Sequence, residues 1–453
     1  MAKKKEKTLE EKLQEALVPE NQWPYMLPEN WCWTRLKYIA NTVTGGTPSK
    51  KHDEYYGGDF PFYKPADLDS GRDLYSASEY LSDLGKNYAK FIPKGSVAVC
   101  CIGSIGKTGY FNIDGCTNQQ INSIIPKINS LFVFYYASCD YFTNELWTKS
   151  SATTISIVNK SKMDDCYIPL PPLSEQKRIV HRIESLFAKL DEAKEKIQHV
   201  LDGAEMRKAA ILHKAFTGEL TKTWRKENTA IFGNSSLGID EELISDNLKK
   251  LPDNWCWCKI GDFLELKAGK NIKAENISIE KNDNNKYACY GGNGIRGYVD
   301  SFNVEGTHII IGRQGALCGN INIAENKFYA TEHAVVVYPR YDTDISWLSE
   351  NLRFLNLNQY SRSAAQPGLA VKNINNVLMP VAPYAEQVEM GRLISQMLNV
   401  WKQKEIICNK VLNKIDTMKK SILAKAFRGE LGTNNPTEDS ALNLLKEVLQ
   451  DKF

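Results

Sequence analysis

Residues 173–216 read LSEQKRIVHRIESLFAKLDEAKEKIQHVLDGAEMRKAAILHKAF, and no other segment keeps apolar residues on a heptad step for so long. Ile179, Ile183, Leu186, Leu190, Ala193, Ile197, Val200, Ala204 and Ile211 follow alternating steps of four and three, interrupted only by Arg207. A helix over this stretch would be roughly 65 Å long, too long for one small domain and well shaped to hold two apart. The pattern returns 211 residues later as Met390, Ile394, Met397, Trp401, Lys404, Cys408, Val411, Ile415, Met418, Ile422 and Ala426. Two long helices packed on each other would bury both stripes.

Working outward, the sequence around each helix also repeats, which makes the repeat the first thing to explain. Leu27-Pro28-Glu29-Asn30-Trp31-Cys32-Trp33 returns as Leu251-Pro252-Asp253-Asn254-Trp255-Cys256-Trp257. Ile102-Gly103-Ser104-Ile105-Gly106 answers Ile311-Gly312-Arg313-Gln314-Gly315, and Pro169 with Glu175-Gln176 answers Pro380 with Glu386-Gln387. Ala215-Phe216-Thr217-Gly218-Glu219-Leu220 answers Ala426-Phe427-Arg428-Gly429-Glu430-Leu431. The opening phrases lie 224 residues apart and the helices 211, so the second globular part is shorter by the difference, 13 residues. Similar frames around divergent contents suggest two readers with different targets.

The expected organisation is an amphipathic helix in 1–20, a globular part in 21–172, a long helix in 173–220 and a linker in 221–250. A second globular part in 251–383, a second long helix in 384–431 and a tail helix in 432–453 complete it. Val- and Ile-rich runs at 96–102, 121–125, 308–311 and 334–338 between Gly, Pro and Asn turns predict strands, while 132–149 and 344–359 look helical. The fold class is therefore α+β, with mixed α/β globular parts in an internal pseudo-two-fold repeat. Prolines precede each long helix, Ser174 is a candidate N-cap, and Gly218 and Gly429 suit the C-terminal turns. Trp31, Trp33, Trp255 and Trp257 read as core aromatics where each part begins.

With 453 residues, 42% hydrophobic and 25% charged, the chain has room for two or three domains with cores of their own. The longest apolar run, 97–102, is strand-sized, so no membrane span is expected. The basic start lacks the apolar core of a signal peptide, so a cytoplasmic location is expected. Eleven cysteines without a C-x-x-C pair indicate buried thiols rather than disulfides or a zinc ribbon. A net charge of +3 neither demands nor excludes nucleic acid.

Catalytic motifs are scarce. Gly103-Ser104-Ile105-Gly106-Lys107-Thr108 ends like a phosphate-binding loop, but the first glycine of that motif would fall on Cys101, and Gly312-Arg313-Gln314-Gly315-Ala316 lacks the lysine. A shared turn is the simpler reading. The six histidines show no paired spacing for metal, and neither a nucleophile elbow nor a methyltransferase base-holding motif occurs. The expectation is no catalytic residue, no metal and no cofactor on this chain.

Two divergent domains, each running through Pro-x-x-Pro-x-x-Glu-Gln or its variant into a long helix ending in Gly-Glu-Leu, resemble the specificity subunit of type I restriction-modification systems. The carriers are Leu170-Pro171-Pro172-Leu173-Ser174-Glu175-Gln176-Lys177-Arg178-Ile179, the Trp-Cys-Trp pair, both Gly-Glu-Leu endings, Gly45-Gly46-Thr47-Pro48-Ser49 and Tyr290-Gly291-Gly292-Asn293-Gly294-Ile295-Arg296-Gly297. Ala382-Pro383-Tyr384-Ala385-Glu386-Gln387 departs by placing alanine where the first copy has serine. The resemblance implies that each globular part is a target-recognition domain reading half of a bipartite site on double-stranded DNA. It also implies that the helices form an antiparallel coiled coil that sets the gap. The resemblance further implies that two methyltransferase subunits dock beside the coil and carry S-adenosylmethionine, and that a restriction/translocase subunit can join them.

Reading base edges and phosphates needs polar and basic side chains on loops. The candidates in the first domain are Thr47, Ser49, Lys50, Lys51, Lys64, Lys107, Gln119, Gln120, Thr153 and Thr154. In the second they are Lys270, Lys273, Asn293, Arg296, Arg313, Gln314, His333, Arg362, Gln366 and Lys372. Glu175, Gln176, Lys177, Arg178, Glu219, Glu386, Gln387 and Glu430 are the candidates for an exposed partner-docking face. The competing reading is a non-enzymatic adaptor whose two domains bind proteins across a rigid coil.

Overall fold

Each Trp-Cys-Trp phrase folds into a short strand paired with the strand that leads into a long helix. The computed structural model describes residues 7–151, 155–228, 250–315, 318–361 and 368–450. Two compact units divide the chain, the first comprising residues 1–197 and 410–453 and the second residues 198–409.

The strands of the first unit are β1 (Cys32–Arg35), β2 (Ala40–Thr44), β3 (Tyr56–Tyr63), β4 (Glu79–Leu81), β5 (Val97–Cys100), β6 (Thr108–Tyr110), β7 (Cys116–Thr117), β8 (Ile121–Pro126) and β9 (Tyr167–Leu170). Strands β1 and β9 pair antiparallel with Trp33 opposite Pro169. A four-stranded sheet has the order β2-β8-β5-β6, and a smaller one has the order β4-β3-β7 with β3 parallel to β7. The larger sheet packs Val97, Val99 and Ile124 against Phe132, Val133 and Tyr136 of the helix Ser130–Ala137. That helix and Asp140–Lys149 replace the single helical run expected over 132–149.

The second unit contains β10 (Cys256–Lys259), β11 (Leu264–Ala268), β12 (Tyr287–Gly291), β13 (Gly294–Val299), β14 (Val304–Glu305), β15 (His308–Gly312), β16 (Ile321–Ala324), β17 (Lys327–Ala330), β18 (Ala334–Pro339) and β19 (Leu378–Val381). Its topology repeats that of the first unit. Strands β10 and β19 pair with Trp257 opposite Pro380, one four-stranded sheet runs β11-β18-β15-β16, and β12 lies parallel to β17 in a second, β13-β12-β17-β14, in which β14 is a strand more than the first unit has. Trp31, Trp33 and Trp255 are buried as expected, whereas Trp257 is partly exposed.

The first long helix is not one helix. It runs Leu173–Asp202, breaks at Gly203, and resumes as Ala204–Phe216. Glycine is about 1 kcal/mol poorer than alanine inside a helix, and here the Arg207 guanidinium packs over Gly203, so that a Cβ there would lie 2.8 Å from Nη1. Arg207 donates to the Val200 carbonyl at 2.7 Å and lies over the Trp401 ring at 4.8 Å. The one polar interruption of the apolar stripe therefore satisfies a carbonyl freed by the break. Because the first helix starts at Leu173, Ser174 lies within its first turn rather than before it.

The second long helix, Tyr384–Phe427, is continuous over 44 residues. Within each unit the two helical chains run antiparallel. In the first, Glu175 meets Asn434 and Asp191 meets Lys419; in the second, Glu386 meets Thr221 and Trp401 meets Arg207. Both copies end as expected, with Gly218 at φ +77° and Gly429 at φ +75°, the left-handed turn that glycine adopts without penalty.

Candidate nucleic-acid interface

In the first unit, the end of β2 is pressed against the loop before β8. Gly45 N–H donates to the Ile121 carbonyl at 3.0 Å and Gly46 N–H to Thr117 at 2.9 Å. A Cβ on Gly45 would lie 2.2 Å from the Asn118 carbonyl oxygen, so only glycine fits. Thr47 Oγ1 donates to Gln119 Oε1 at 2.5 Å, and Asn118 N–H donates to the Tyr63 carbonyl at 3.2 Å. Cys101 N–H donates to Gln120 at 2.8 Å, and Gly103 N–H to Ser156 at 3.3 Å. Five loops thereby share one end of the larger sheet. Thr47, Ser49, Lys50, Lys51 and Gln119 are exposed there, and Lys64, Lys107 and Gln120 are half-buried. Thr153 and Thr154 lie outside the described residues.

The phosphate-loop look-alike is a turn between β5 and β6, closed by Cys100 N–H donating to Lys107 at 2.8 Å, with Gly103 and Gly106 at φ +77° and +87°. Lys107 pairs with Asp69 at 2.7 Å and Lys64 with Glu79 at 2.9 Å.

The second unit builds the same end from other residues. Gly269 N–H donates to Ala334 at 2.9 Å, Lys270 N–H to Ala330 at 2.9 Å, Arg313 N–H to His333 at 2.8 Å, and Leu369 N–H to Arg313 at 2.9 Å. A Cβ on Gly269 would lie 2.2 Å from the Ala330 oxygen, the counterpart of Gly45 at the 224-residue offset of the opening phrases. Gly292 and Gly312 pack back to back, and Asn320 Nδ2 donates to Asn293 Oδ1 at 3.2 Å. Lys270, Asn293, Arg313, Gln314 and His333 thus come together, with Arg296 of β13 lying against Gly291 of β12. Lys372 is exposed on the helix Val371–Asn375, whose approach is fixed by the Leu369 bond. Lys273 is exposed and pairs with Glu275 at 3.3 Å; Arg362 and Gln366 lie outside the described residues.

Sequence reasoning missed Asn118, which orders the first loop end, and the carboxylates Asp69 and Glu79. Gly45 and Gly269 could have been matched by extending the 224-residue offset. The carboxylates left no such trace.

The docking-face candidates divide. Glu175, Gln176 and Glu386 are fully buried and Gln387 is 2% exposed, so the expected exposed face does not include them. Glu175 accepts from Trp31 Nε1 at 2.7 Å, Asn434 Nδ2 at 3.0 Å and Thr433 Oγ1 at 3.3 Å. Glu386 accepts from Trp255 Nε1 at 2.9 Å and Thr221 Oγ1 at 2.5 Å, and also pairs with Arg225. Gln176 donates to the Pro171 carbonyl at 2.9 Å and accepts from Asn129 N–H at 3.1 Å; Gln387 does the same with Ala382 and Asp344 at 2.8 and 3.2 Å. The Glu-Gln pair fixes each helix start to its globular part and to the chain just past the other helix's end. Arg178 forms a double hydrogen bond to Glu438, whereas Lys177, Glu219 and Glu430 are exposed.

The loop ends offer hydrogen-bond donors, acceptors and cations. Burial pushes the Cys101 thiol up to about 12 and raises Cys289 as well, which keeps both protonated near neutral pH. Among the described residues no cluster of three or more His, Cys, Asp or Glu side chains could hold a metal ion. No helix among them is long and apolar enough to cross a membrane.

Comparison with known proteins matches this doubled architecture. A specificity subunit of the Escherichia coli EcoprrI type I restriction enzyme is 30% identical over 375 residues, covering 80% of this chain and 86% of that protein. The EcoKI specificity subunit of Escherichia coli strain K12 is 23% identical over 94% of this chain and 96% of its own length. Among solved structures, the HsdS subunit from Thermoanaerobacter tengcongensis superposes with a TM-score of 0.61 at 20% identity, over 90% of this chain and 99% of that one. A chain from work on complex assembly and conformational transition of the type I R-M system gives 0.67 at 20% identity, over 90% of this chain and all of that one. The family model described as type I restriction modification DNA specificity domain matches residues 28–201 and again 252–413. Two such matches, each spanning a globular part and most of the helix that follows it, place this chain in the type I restriction-modification specificity subunit family.

Proposed function

We propose that each globular part reads one half of a bipartite site on double-stranded DNA through the loop end described above. The observation that carries this reading is the repetition of one backbone arrangement with different polar side chains. The glycines and hydrogen bonds that position the loops recur, while Thr47, Gln119 and Lys50 in one copy give way to Lys270, Asn293 and Arg313 in the other. A constant frame with variable donors and acceptors is what reading two different short sequences requires. The long helices act as the spacer that sets the gap. The test is to exchange residues 27–169 for those of a relative and to sequence the methylated sites in cells carrying the modification subunits. One half-site is expected to change while the other and the gap stay fixed; a change in both halves would overturn the assignment.

In this reading the chemistry belongs to partners. Two modification subunits bring S-adenosylmethionine and methylate adenine in the cytoplasm, a restriction/translocase subunit can join, and this chain supplies no catalytic group. An apolar surface around the Gly203 break supports docking there. Met206 is 79% exposed, and Val200, Val400, Ile406 and Ile407 are exposed with it in the same unit. Exposed apolar clusters of this kind mark interaction surfaces. Val400→Glu with Ile407→Glu is expected to cut co-purification of the modification subunits at least tenfold, since buried unpaired carboxylates cost several kcal/mol at an interface, while leaving the melting of the free chain unchanged. Undiminished co-purification would place docking elsewhere.

A further inference from the structure

Two lysines of the first loop end are held by carboxylates. In the first unit, Lys107 lies on the turn between β5 and β6, its side chain 26% exposed, with its ammonium 2.7 Å from Asp69. Lys64 follows directly on β3 and lies 2.9 Å from Glu79. Both carboxylates belong to one segment, 64–79, that is tied off at its base. Asp67 accepts from Lys64 N–H at 2.7 Å and from Ser78 N–H at 2.9 Å, and Ser78 Oγ donates to it at 3.2 Å. Arg72 of the same segment donates to Asn112 Oδ1 at 3.0 Å, which pins its other side. Asp69 itself is 79% exposed, so the loop presents a solvent-accessible anion to a lysine at the DNA-facing end. In the second unit Lys273 lies 3.3 Å from Glu275 and His333 lies 3.2 Å from Glu332, whereas among the described residues Lys270, Arg296 and Arg313 have no carboxylate within ion-pair distance.

The geometry points to Asp69 and Glu79 as specificity-determining residues, anions that hold Lys107 and Lys64 away from the phosphates of unmatched DNA. This rests on the reading of the loop end as a DNA interface. Non-specific affinity comes from phosphate neutralisation, and every lysine already neutralised by a carboxylate is one that random sequence cannot use. At the matched site base contacts hold the backbone in a register in which Lys107 and Lys64 stay on their carboxylates, so they add nothing to cognate affinity. The first domain thereby binds poorly to non-cognate sequence. Lys50 and Lys51 of the first domain and Lys270, Arg296 and Arg313 of the second, outside any ion pair among the described residues, supply general attraction to DNA.

The test uses the full chain in complex with its modification subunits and three duplexes: the methylated bipartite site, that site with the first half scrambled, and that site with the second half scrambled. For Asp69→Asn with Glu79→Gln, binding to the first-half-scrambled duplex is expected to tighten roughly tenfold, with a salt slope steeper by about two, one for each freed lysine. Binding to the intact site is expected to change less than twofold, and discrimination at the second half not at all. Unchanged affinity for the first-half-scrambled duplex would overturn the inference, as would equal tightening on all three. A wild-type complex that does not distinguish the duplexes would instead overturn the DNA-reading assignment itself. If the double variant fails to fold, Asp69→Asn alone decides: a gain of about threefold supports the proposal and no gain defeats it.

Discussion

Glu386→Ala is expected to destabilise the unit formed by residues 198–409 by about 3 kcal/mol, the low end of the cost of removing one partner from a buried ion pair. The carboxylate is fully buried and accepts from Trp255 Nε1 and Thr221 Oγ1 while pairing with Arg225. Alanine would leave an indole N–H, a hydroxyl and a guanidinium without their acceptor. The low end applies because the Arg225 side chain is 16% exposed and keeps some water. For a unit of this size the loss corresponds to a fall of roughly 6–12 °C in melting temperature, measurable by circular dichroism on the free full-length chain. Glu175→Ala should cost less, about 2 kcal/mol, since Trp31, Asn434 and Thr433 are neutral donors. Glu430→Ala, exposed near the end of the second helix, should fall within about 0.5 kcal/mol of wild type. If Glu386→Ala melted like wild type and only lost its partner subunits, the residue would be a docking contact and not a structural bolt.

That bolt also marks where sequence reasoning reaches its limit. The repeat, the helix ends at Gly218 and Gly429, and the main strands follow from periodicity and glycine geometry, which are local properties. Burial of Glu175 and Glu386 is not local, because a carboxylate after a proline turn reads as a solvated helix start unless its donors are known. Those donors lie in Trp31 and Trp255, upstream by more than a hundred residues, and in the chain beyond the opposite helix. The recurrence of Trp and Glu together in both copies was the available signal. Gly203 was hidden differently: it falls between Val200 and Ala204 of the apolar stripe, so the heptad pattern passes over it, and only Arg207 at a core position hints at the break. The recognition loops were legible as a class. Which side chains are free and which are held by a carboxylate was not, since Asp69 reaches Lys107 across 38 positions of sequence.

Gly312→Ala is expected to abolish discrimination at the half-site read by the second domain, by on the order of 100-fold, equivalent to losing about two base contacts at 1–3 kcal/mol each. A Cβ on Gly312 would lie 1.9 Å from the Gly292 carbonyl oxygen, and one on Gly292 would lie 2.9 Å from that of Gln314. These two glycines bring the loop bearing Asn293 against the loop bearing Arg313 and Gln314. The obstructing atoms are backbone, which cannot rotate aside, so the loops must separate, at about 1–3 kcal/mol of strain. Folding should survive that cost while the spacing of the reading side chains should not, because a displacement of a few tenths of an ångström already spoils bidentate geometry. Gly45→Ala, whose Cβ would lie 2.2 Å from the Asn118 oxygen, should damage the first half-site in the same way and leave the second intact. Gly46→Ala, beside it with nothing within 4 Å, should leave both unchanged. Binding of the complex to intact, first-half-scrambled and second-half-scrambled duplexes separates these cases. Retention of full discrimination by Gly312→Ala would mean that bases are not read from this end of the sheet.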